Sequence, residues 1–191
     1  MTEGLWAAII GVGGTLLGTA LGWWLNTLSN RGKLNIFCKK WNVEFETNIN
    51  GILARTEDIE KAEYFDFNVE LEVVNHSSNI KIIREVQILF EDFNGKILKA
   101  VIPNDTSLRT YSSHHYFHKE VKPFNVYGKS IISINLDKGF NNSNSKFDFV
   151  FNTEKIFLQY KDEANNIKRV LLKEGNVKNY YSIEAEGENN A

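Results

Sequence analysis

The sequence predicts a mainly β protein: an N-terminal transmembrane α-helix, residues 1–30, followed by an antiparallel β-sandwich of about seven or eight strands, residues 31–182. An acidic tail, residues 183–191, is expected to be disordered. Two observations predict this organisation. No charged side chain occurs from Gly4 to Asn30, and beyond that run the apolar residues recur with the period of two that is typical of strands. Turn residues at regular spacing favour a sandwich over a barrel.

The uncharged run is long enough to cross a bilayer. As a helix, Gly4–Leu28 would measure about 37 Å at roughly 1.5 Å per residue, against a hydrocarbon core of about 30 Å. Tryptophans stand near both ends of the run, where indole rings favour the headgroup layer, and basic residues follow the second end. The expected membrane-interface anchors are Trp6, Trp23, Trp24, Arg31 and Lys33.

Two other interpretations of this run stay open. A secretory signal peptide is also N-terminal and apolar, but it begins with a basic region, which Met1-Thr2-Glu3 lacks, and its apolar core is usually about 7–15 residues long. A buried core helix is the second alternative, because the run is hydrophobic on all sides. The membrane helix is favoured because it accounts for both the length and the flanking residues.

The flanking charges predict the orientation of the helix. Its amino side carries only Glu3, whereas four basic residues precede the first acid, Glu44, on the carboxyl side. These basic residues are Arg31, Lys33, Lys39 and Lys40. Positively charged flanks stay in the cytoplasm. We therefore expect a single-pass protein of the inner (cytoplasmic) membrane, with the N-terminus outside and the C-terminal domain cytoplasmic.

Small residues recur within the helix at a regular spacing. Gly14, Gly18 and Gly22 form a GxxxGxxxG glycine zipper, and Gly4 and Gly11 continue nearly the same face. Missing side chains let two membrane helices approach closely, where dispersion replaces the absent hydrophobic drive. The pattern predicts a helix–helix interface and a homo-oligomer, although it does not fix the number of copies.

Several segments of the domain carry a clear strand pattern. Leu34–Glu46 alternates with an interruption at Lys39-Lys40, which predicts a bulge, and Phe65–Val73 alternates apolar and polar residues strictly. Strands are also expected at Phe124–Leu136 and Phe147–Phe151. The single cysteine, Cys38, excludes an internal disulfide, and a formal net charge of −2 argues against a nucleic-acid partner.

Three stretches resemble the strands and turns of bacterial immunoglobulin-like domains. The first runs from Val73-Val-Asn75-His-Ser77 to Gly95-Lys96, the second from the proline-led Val121-Lys-Pro123 to Leu136, and the third from Tyr160-Lys-Asp162 to Arg169. The resemblance covers most of residues 64–172. It implies an immunoglobulin-like sandwich without the disulfide of that fold, and it implies no activity, because one fold hosts many functions.

The sequence offers no chemistry strong enough to predict an enzyme. His114, His115 and His118 are weak metal-ligand candidates, because a pair at i and i+4 can share a metal on a helix, but this segment lies between strands. Cys38 has no defined base and is expected to pack inside the first strand. The aromatic residues Tyr111, Tyr116, Phe117 and Tyr127 could line a recognition surface, but the core is the favoured interpretation. No catalytic residue, metal or cofactor is predicted.

The favoured function is a membrane-anchored, non-enzymatic binding or scaffold module that associates through its glycine zipper. Its expected partners are the lipid bilayer, further copies of the chain, and an unidentified protein or small-molecule ligand bound by the loops 46–62 and 104–120. The alternative is a membrane-perturbing effector of a bacterial or phage-defence type, triggered when a ligand binds the sandwich. Abundant Asn, Lys and Ile are typical of an AT-rich bacterial or phage genome.

Overall fold

A computed structural model describes residues 2–30, 32–112, 115–142 and 148–175. Within these ranges the chain forms two α-helices, α1 (Thr2–Asn30) and α2 (Asp148–Asn152). The twelve strands are β1 (Leu34–Ile49), β2 (Ile52–Arg55), β3 (Tyr64–Asn75), β4 (Lys81–Glu91), β5 (Ile97–Val101), β6 (Asn104–Asp105), β7 (Thr110–Ser112), β8 (His115–Phe117), β9 (Phe124–Val126), β10 (Ser130–Asn141), β11 (Lys155–Lys161) and β12 (Ile167–Glu174). The acidic tail and Arg31 lie outside the described residues.

The strands build two antiparallel sheets. The first sheet has the order β2-β1-β3-β10-β6, and the second has the order β12-β11-β4-β5 with β9 paired to β4. A separate hairpin joins β7 and β8. The mainly β, antiparallel fold class is thus confirmed. The expected seven or eight strands become twelve because short segments such as β2, β6 and β9 also pair with the sheets.

Strand β3 is the centre of the first sheet, paired on one side with β1 and on the other with β10. Its alternate apolar residues, from Phe65 to Val73, are at most 2% exposed, while Asp66 and Asn68 point to the opposite face. The strict alternation in the sequence produces this division, because successive strand side chains point to opposite faces.

Aromatic rings join the two sheets. Phe67 on β3 meets Phe90 on β4 of the second sheet edge to face at 5.9 Å between ring centroids. Within the first sheet, Phe65 stacks on Phe140 of β10 at 5.7 Å. Phe149 on α2 closes the end of this cluster, with its ring 5.0 Å from that of Phe90. Aromatic pairs in these geometries add stability beyond the area they bury.

The first strand follows the predicted pattern, including its interruption. The pairing of β1 with β3 shifts by one residue between Cys38 and Lys40, so the predicted bulge is confirmed. The strand then continues to Ile49 and turns at Asn50-Gly51, both with positive φ, into β2. The loop 46–62, expected to bind a ligand, is therefore largely a hairpin, because Gly51 supplies the left-handed conformation that such a turn requires.

Two strand predictions were wrong. Phe124–Leu136 is divided into β9 and β10, because Gly128 packs so closely on the backbone of Ser78 that a Cβ there would overlap it, and Lys129 has a φ of +55°. The second error is the strand predicted at 147–151, where residues 148–152 form α2. A short apolar run does not distinguish a strand from a buried helical turn.

Candidate functional site

Helix α1 contains the only described segment long and apolar enough to cross a membrane. Trp6–Ser29 has a mean hydropathy of 1.5, and the other described residues bury none of its most apolar window. Trp6 and Trp23 are 64% and 70% exposed, and most of the large apolar side chains between them are also exposed. A helix that is apolar on all sides and uncovered is typical of a membrane span, and the described part of the domain does not bury it as a core helix.

The glycines of α1 leave open space along the helix. A Cβ added at Gly14, Gly18 or Gly22 would meet no atom within 4 Å, so no contact within the described chain requires these glycines. The hydroxyls of Thr15 and Thr19 donate to the carbonyls of Gly11 and Thr15, both at 2.8 Å. Their polar hydrogens are therefore satisfied within the helix. Association through this face remains a prediction.

The helix passes into the sandwich through residues 31–33 only. The amide of Ser78 donates to the carbonyl of Ser29 at 3.3 Å, and the two hydroxyls lie 2.5 Å apart. The amide of His76 donates to the carbonyl of Lys33 at 3.1 Å. A Cβ on Gly32 would overlap the backbone of His76 and Ser77, so glycine permits this close approach. The turn between β3 and β4 thus supports the end of the helix.

A polar cleft of about 630 Å³ lies on the face of the first sheet that points away from the core. Two rows of paired residues form its floor. In one row Glu44 on β1 and Gly139 on β10 flank Asp66, and in the other Asn42 and Asp137 flank Asn68. Its lining residues are Asn42, Glu44, Asp66, Phe67, Asn68, Asn104, Arg109, His118, Asp137, Lys138 and Gly139.

Asp66 is the most perturbed acid of the cleft. The pKa of its carboxyl is raised from 3.8 to about 6, chiefly by burial and also by the negative charges of Glu46, Glu44 and Asp137, while His118 lowers it. Glu44 stands directly across the strand pair, where like charges repel each other. Gly139 makes room on the other side, because a Cβ there would overlap Oδ1 of Asp66. Perturbed acids in a cleft are typical of functional sites.

Asp137 connects the floor to the loop above it. Its Oδ2 accepts from Nη2 of Arg109 at 2.5 Å and lies 3.5 Å from Nδ1 of His118. Its Oδ1 is buried and has no hydrogen-bond partner among the described residues. Arg109 precedes β7 and His118 follows β8, so the base of this hairpin supplies both groups. The cleft therefore presents basic groups at its rim and an unused acceptor on its floor.

The histidine cluster is only partly described. His114 lies outside the described residues, His115 begins β8, and His118 lies in the cleft. Among the described residues, no group of three or more His, Cys, Asp or Glu side chains is placed to hold a metal ion. Burial raises the pKa of the Cys38 thiol, the reverse of what a nucleophilic cysteine requires.

The aromatic residues of loop 104–120 are exposed, so the core interpretation was wrong. Tyr111 and Tyr116 are each 62% exposed and pack on each other with ring centroids 4.9 Å apart. Phe117 and Tyr127 are 52% and 63% exposed. The guanidinium of Arg109 lies over the ring of Tyr116 at 5.5 Å. This hairpin therefore presents an aromatic edge beside the cleft.

Comparison with known proteins places the sandwich in a family. The sequence profile described as YopI Ig-like domain matches residues 32–173. The SPbeta prophage-derived uncharacterized protein YopI of Bacillus subtilis (strain 168) is 24% identical over 174 residues, which cover 90% of this chain and 93% of that protein.

Similarities to solved structures are weaker. A protein from Archaeoglobus fulgidus aligns with 71% of this chain and 90% of its own, at 10% identity and a TM-score of 0.37. The Iho670 flagellar-like filament aligns with 90% of this chain and 98% of its own, at 7% identity and a TM-score of 0.35. The family profile, which spans most of the sandwich, is decisive: the chain belongs to the YopI Ig-like domain family.

Proposed function

We propose that this protein is a membrane-anchored, non-enzymatic binding module. The observation that carries this function is the uncovered apolar helix α1, which continues through residues 31–33 into an immunoglobulin-like domain. Such a short connection holds the domain at the surface of the bilayer that the helix crosses. The anchor would be single-pass, and the glycine face of Gly14, Gly18 and Gly22 would join several copies.

The charges near the end of α1 support a cytoplasmic domain. Lys33 lies three residues after the end of α1. The fold brings Lys129 to the same turn, because its amide donates to the carbonyl of Ser77 and its Nζ to that of His76, whose own amide donates to Lys33. Basic residues close to the end of a membrane helix favour the cytoplasmic side. The N-terminus would then lie outside.

The polar cleft is the proposed ligand site of the module. Its floor holds the crowded acids Glu44 and Asp66 and the buried Oδ1 of Asp137, which accepts no hydrogen bond from the part of the chain that the structure describes. A ligand that brings hydrogen-bond donors or a positive charge would satisfy that oxygen and relieve the repulsion around Asp66. Loop 104–120, which the sequence predicted as a recognition loop, supplies Arg109 and His118 at the rim.

Cysteine labelling in intact cells tests the anchor and its orientation. Starting from Cys38→Ser, which removes the single cysteine, we would introduce Thr2→Cys or Phe93→Cys, the latter at an exposed turn far from the helix. A membrane-impermeant maleimide should label position 2 in intact cells and position 93 only after permeabilisation. Labelling of position 93 in intact cells would reverse the topology, and release of the protein from membranes by alkaline carbonate would refute the anchor.

Substitution within the glycine face tests self-association. Gly18→Leu is expected to weaken association in bilayers by about tenfold or more, roughly 1.4 kcal/mol, because four added carbons separate the helix backbones. Gly13→Leu is the matched control, since Gly13 lies about 140° around the helix from Gly18 and also has open space. Single-molecule photobleaching counts the copies. Equal effects of the two substitutions, or none, would contradict the glycine interface.

The alternative function, a ligand-triggered membrane effector, is favoured by the joint between helix and domain. Because Ser29 is hydrogen-bonded to Ser78, a ligand that moves this turn would also move the end of α1. The effector predicts an assembly larger than a dimer and a loss of membrane potential on expression, both abolished by Gly18→Leu. A monomer or dimer with an unchanged potential would leave the anchored binding module.

A further inference from the structure

The end of the sandwich next to α1 carries exposed apolar side chains. Ile80 is 51% exposed, Tyr127 63% and Ile131 64%, and each belongs to or adjoins a turn that contacts the end of the helix or its extension. The turn next to Ile80 is hydrogen-bonded to Ser29. The turn that contains Tyr127 is hydrogen-bonded to Ser77, which belongs to the first turn. These residues therefore lie on one side of the molecule, around the point where the helix enters.

Basic side chains accompany this apolar surface. Lys33 and Lys129 are both exposed, and the Nζ of Lys129 lies 2.6 Å from the carbonyl of His76 in the same turn. An apolar surface bordered by lysines is complementary to an anionic lipid surface, where the apolar groups enter the interface and the ammonium groups meet phosphates. Tyrosine is enriched at this depth of a membrane.

Geometry brings this surface to the bilayer. Only residues 31–33 separate α1 from β1, and strand β1 begins at Leu34 opposite Asn75, beside the same two turns. The interfacial layer on each side of the hydrocarbon core is roughly 5–7 Å thick. A turn that is hydrogen-bonded to Ser29, at the end of the apolar span, lies within reach of this layer.

We propose that Ile80, Tyr127, Ile131, Lys33 and Lys129 form a lipid-contact surface that binds the anionic phospholipid headgroups of the leaflet next to the domain. The proposal rests on the proposed membrane anchor. It implies that the domain does not swing freely on its helix but lies against the membrane with this end, which leaves the polar cleft and the aromatic hairpin of loop 104–120 accessible from the side.

Fluorescence quenching in vesicles tests this surface with the full chain. In the Cys38→Ser background, Ile131→Cys is labelled with an environment-sensitive dye, and Phe93→Cys at the opposite end of β4 is the matched control, since Phe93 is 81% exposed. Lipids spin-labelled near the headgroup should quench the dye at position 131 and not at position 93. Quenching should be stronger in phosphatidylcholine vesicles that contain phosphatidylglycerol than in those without it.

Charge variants and the native tryptophans separate the outcomes. Lys33→Gln and Lys129→Gln should each weaken the contact with anionic lipid by about fivefold, which corresponds to the roughly 1 kcal/mol that a lysine contributes at such a surface.

Brominated lipids report helix insertion through Trp6, Trp23 and Trp24. Quenched tryptophans with no quenching at position 131 would overturn the surface and leave the anchor. Unquenched tryptophans would overturn the anchor itself, and with it this surface. If the dye at position 131 were shielded from water but not quenched by lipid, a second copy of the chain would cover it, and the proposal would be overturned. Quenching that changed neither with anionic lipid nor with the two glutamine variants would overturn it as well.

Discussion

Replacing Asn75 by alanine is expected to lower the free energy of unfolding by about 3–5 kcal/mol. Asn75 is 1% exposed at the end of β3. Its amide donates to the carbonyls of Asn79, Val126 and Tyr127 at 2.8–3.0 Å, and its Oδ1 accepts from the amide and hydroxyl of Ser77. Alanine removes all of these bonds, and although the hydroxyl of Ser77 still donates to the carbonyl of Asn79, each buried group left without a partner costs about 1–3 kcal/mol.

The matched control for this prediction is Asn79→Ala. Asn79 is exposed in the same turn and contributes its backbone carbonyl to the network, so alanine there should change stability by less than about 0.5 kcal/mol. Asn75→Asp keeps the acceptor and loses the amide donors, and it should be nearly as destabilising as alanine. Urea unfolding followed by circular dichroism measures all three variants. A stable Asn75→Asp protein would show that the donors do not hold the two turns together.

The network of Asn75 also shows what the sequence could and could not predict. The segment Asn75–Asn79 is evident as a turn from its residue types, because Asn and Ser side chains bond to nearby backbone. Its bonds to Val126 and Tyr127 join positions 51 and 52 residues apart. No local pattern contains that pairing, and for the same reason the break between β9 and β10 at Gly128 was missed.

The candidate cleft was hidden from the sequence by strand register. The alternation of β3 predicts that Asp66 and Asn68 share the face away from the core, but not which residues stand beside them. The pairing of Glu44, Asp66 and Gly139 in one row follows from a bulge in β1 and from the crossover that brings β10 next to β3. The like charges of Glu44 and Asp66 on neighbouring strands indicate a site only once the register of those strands is known.

The helix was predictable because its signal is local. An uncharged run as long as a bilayer is thick, with tryptophans at its ends, can be recognised without tertiary contacts. The aromatic residues of β7 and β8 are the opposite case, because their composition is that of a core and only tertiary structure shows that Tyr111 and Tyr116 face solvent. Local periodicity thus predicts the elements, whereas sites that depend on pairing between distant strands require the structure.

Replacing Asp66 by asparagine is expected to stabilise the protein at neutral pH by about 1–2 kcal/mol. The pKa of this carboxyl is about 6 in the folded protein against an ordinary 3.8. The folded state therefore binds the proton more tightly than the unfolded chain does. This group's contribution to stability is fully present below pH 3.8 and is lost as the pH rises through about 6. This difference in pKa corresponds to about 3 kcal/mol of unfolding free energy. We expect about 1–2 kcal/mol instead, because solvent screens the charge of a half-buried carboxylate.

Asparagine keeps the shape of Asp66 and removes its charge, so the gain should depend on pH. Urea unfolding at about pH 7.5 should show the full gain, and at about pH 3.5 the variant and the unchanged protein should be equally stable. Glu70→Gln is the matched control, because Glu70 lies on the same face of β3 outside the cleft. It should change stability by less than about 0.5 kcal/mol at either pH.

A stabilising Asp66→Asn substitution would identify the cleft as a place where the fold tolerates an unfavourable charge. Burial and the charges of Glu46, Glu44 and Asp137 all act in this direction, and only His118 opposes them. An unfavourable carboxylate gives no benefit on a surface without a function, whereas in a site that binds a hydrogen-bond donor or a cation it strengthens binding. If Asp66→Asn were destabilising at neutral pH, the carboxylate would be a structural acceptor, and the cleft would lose its main support as a ligand site.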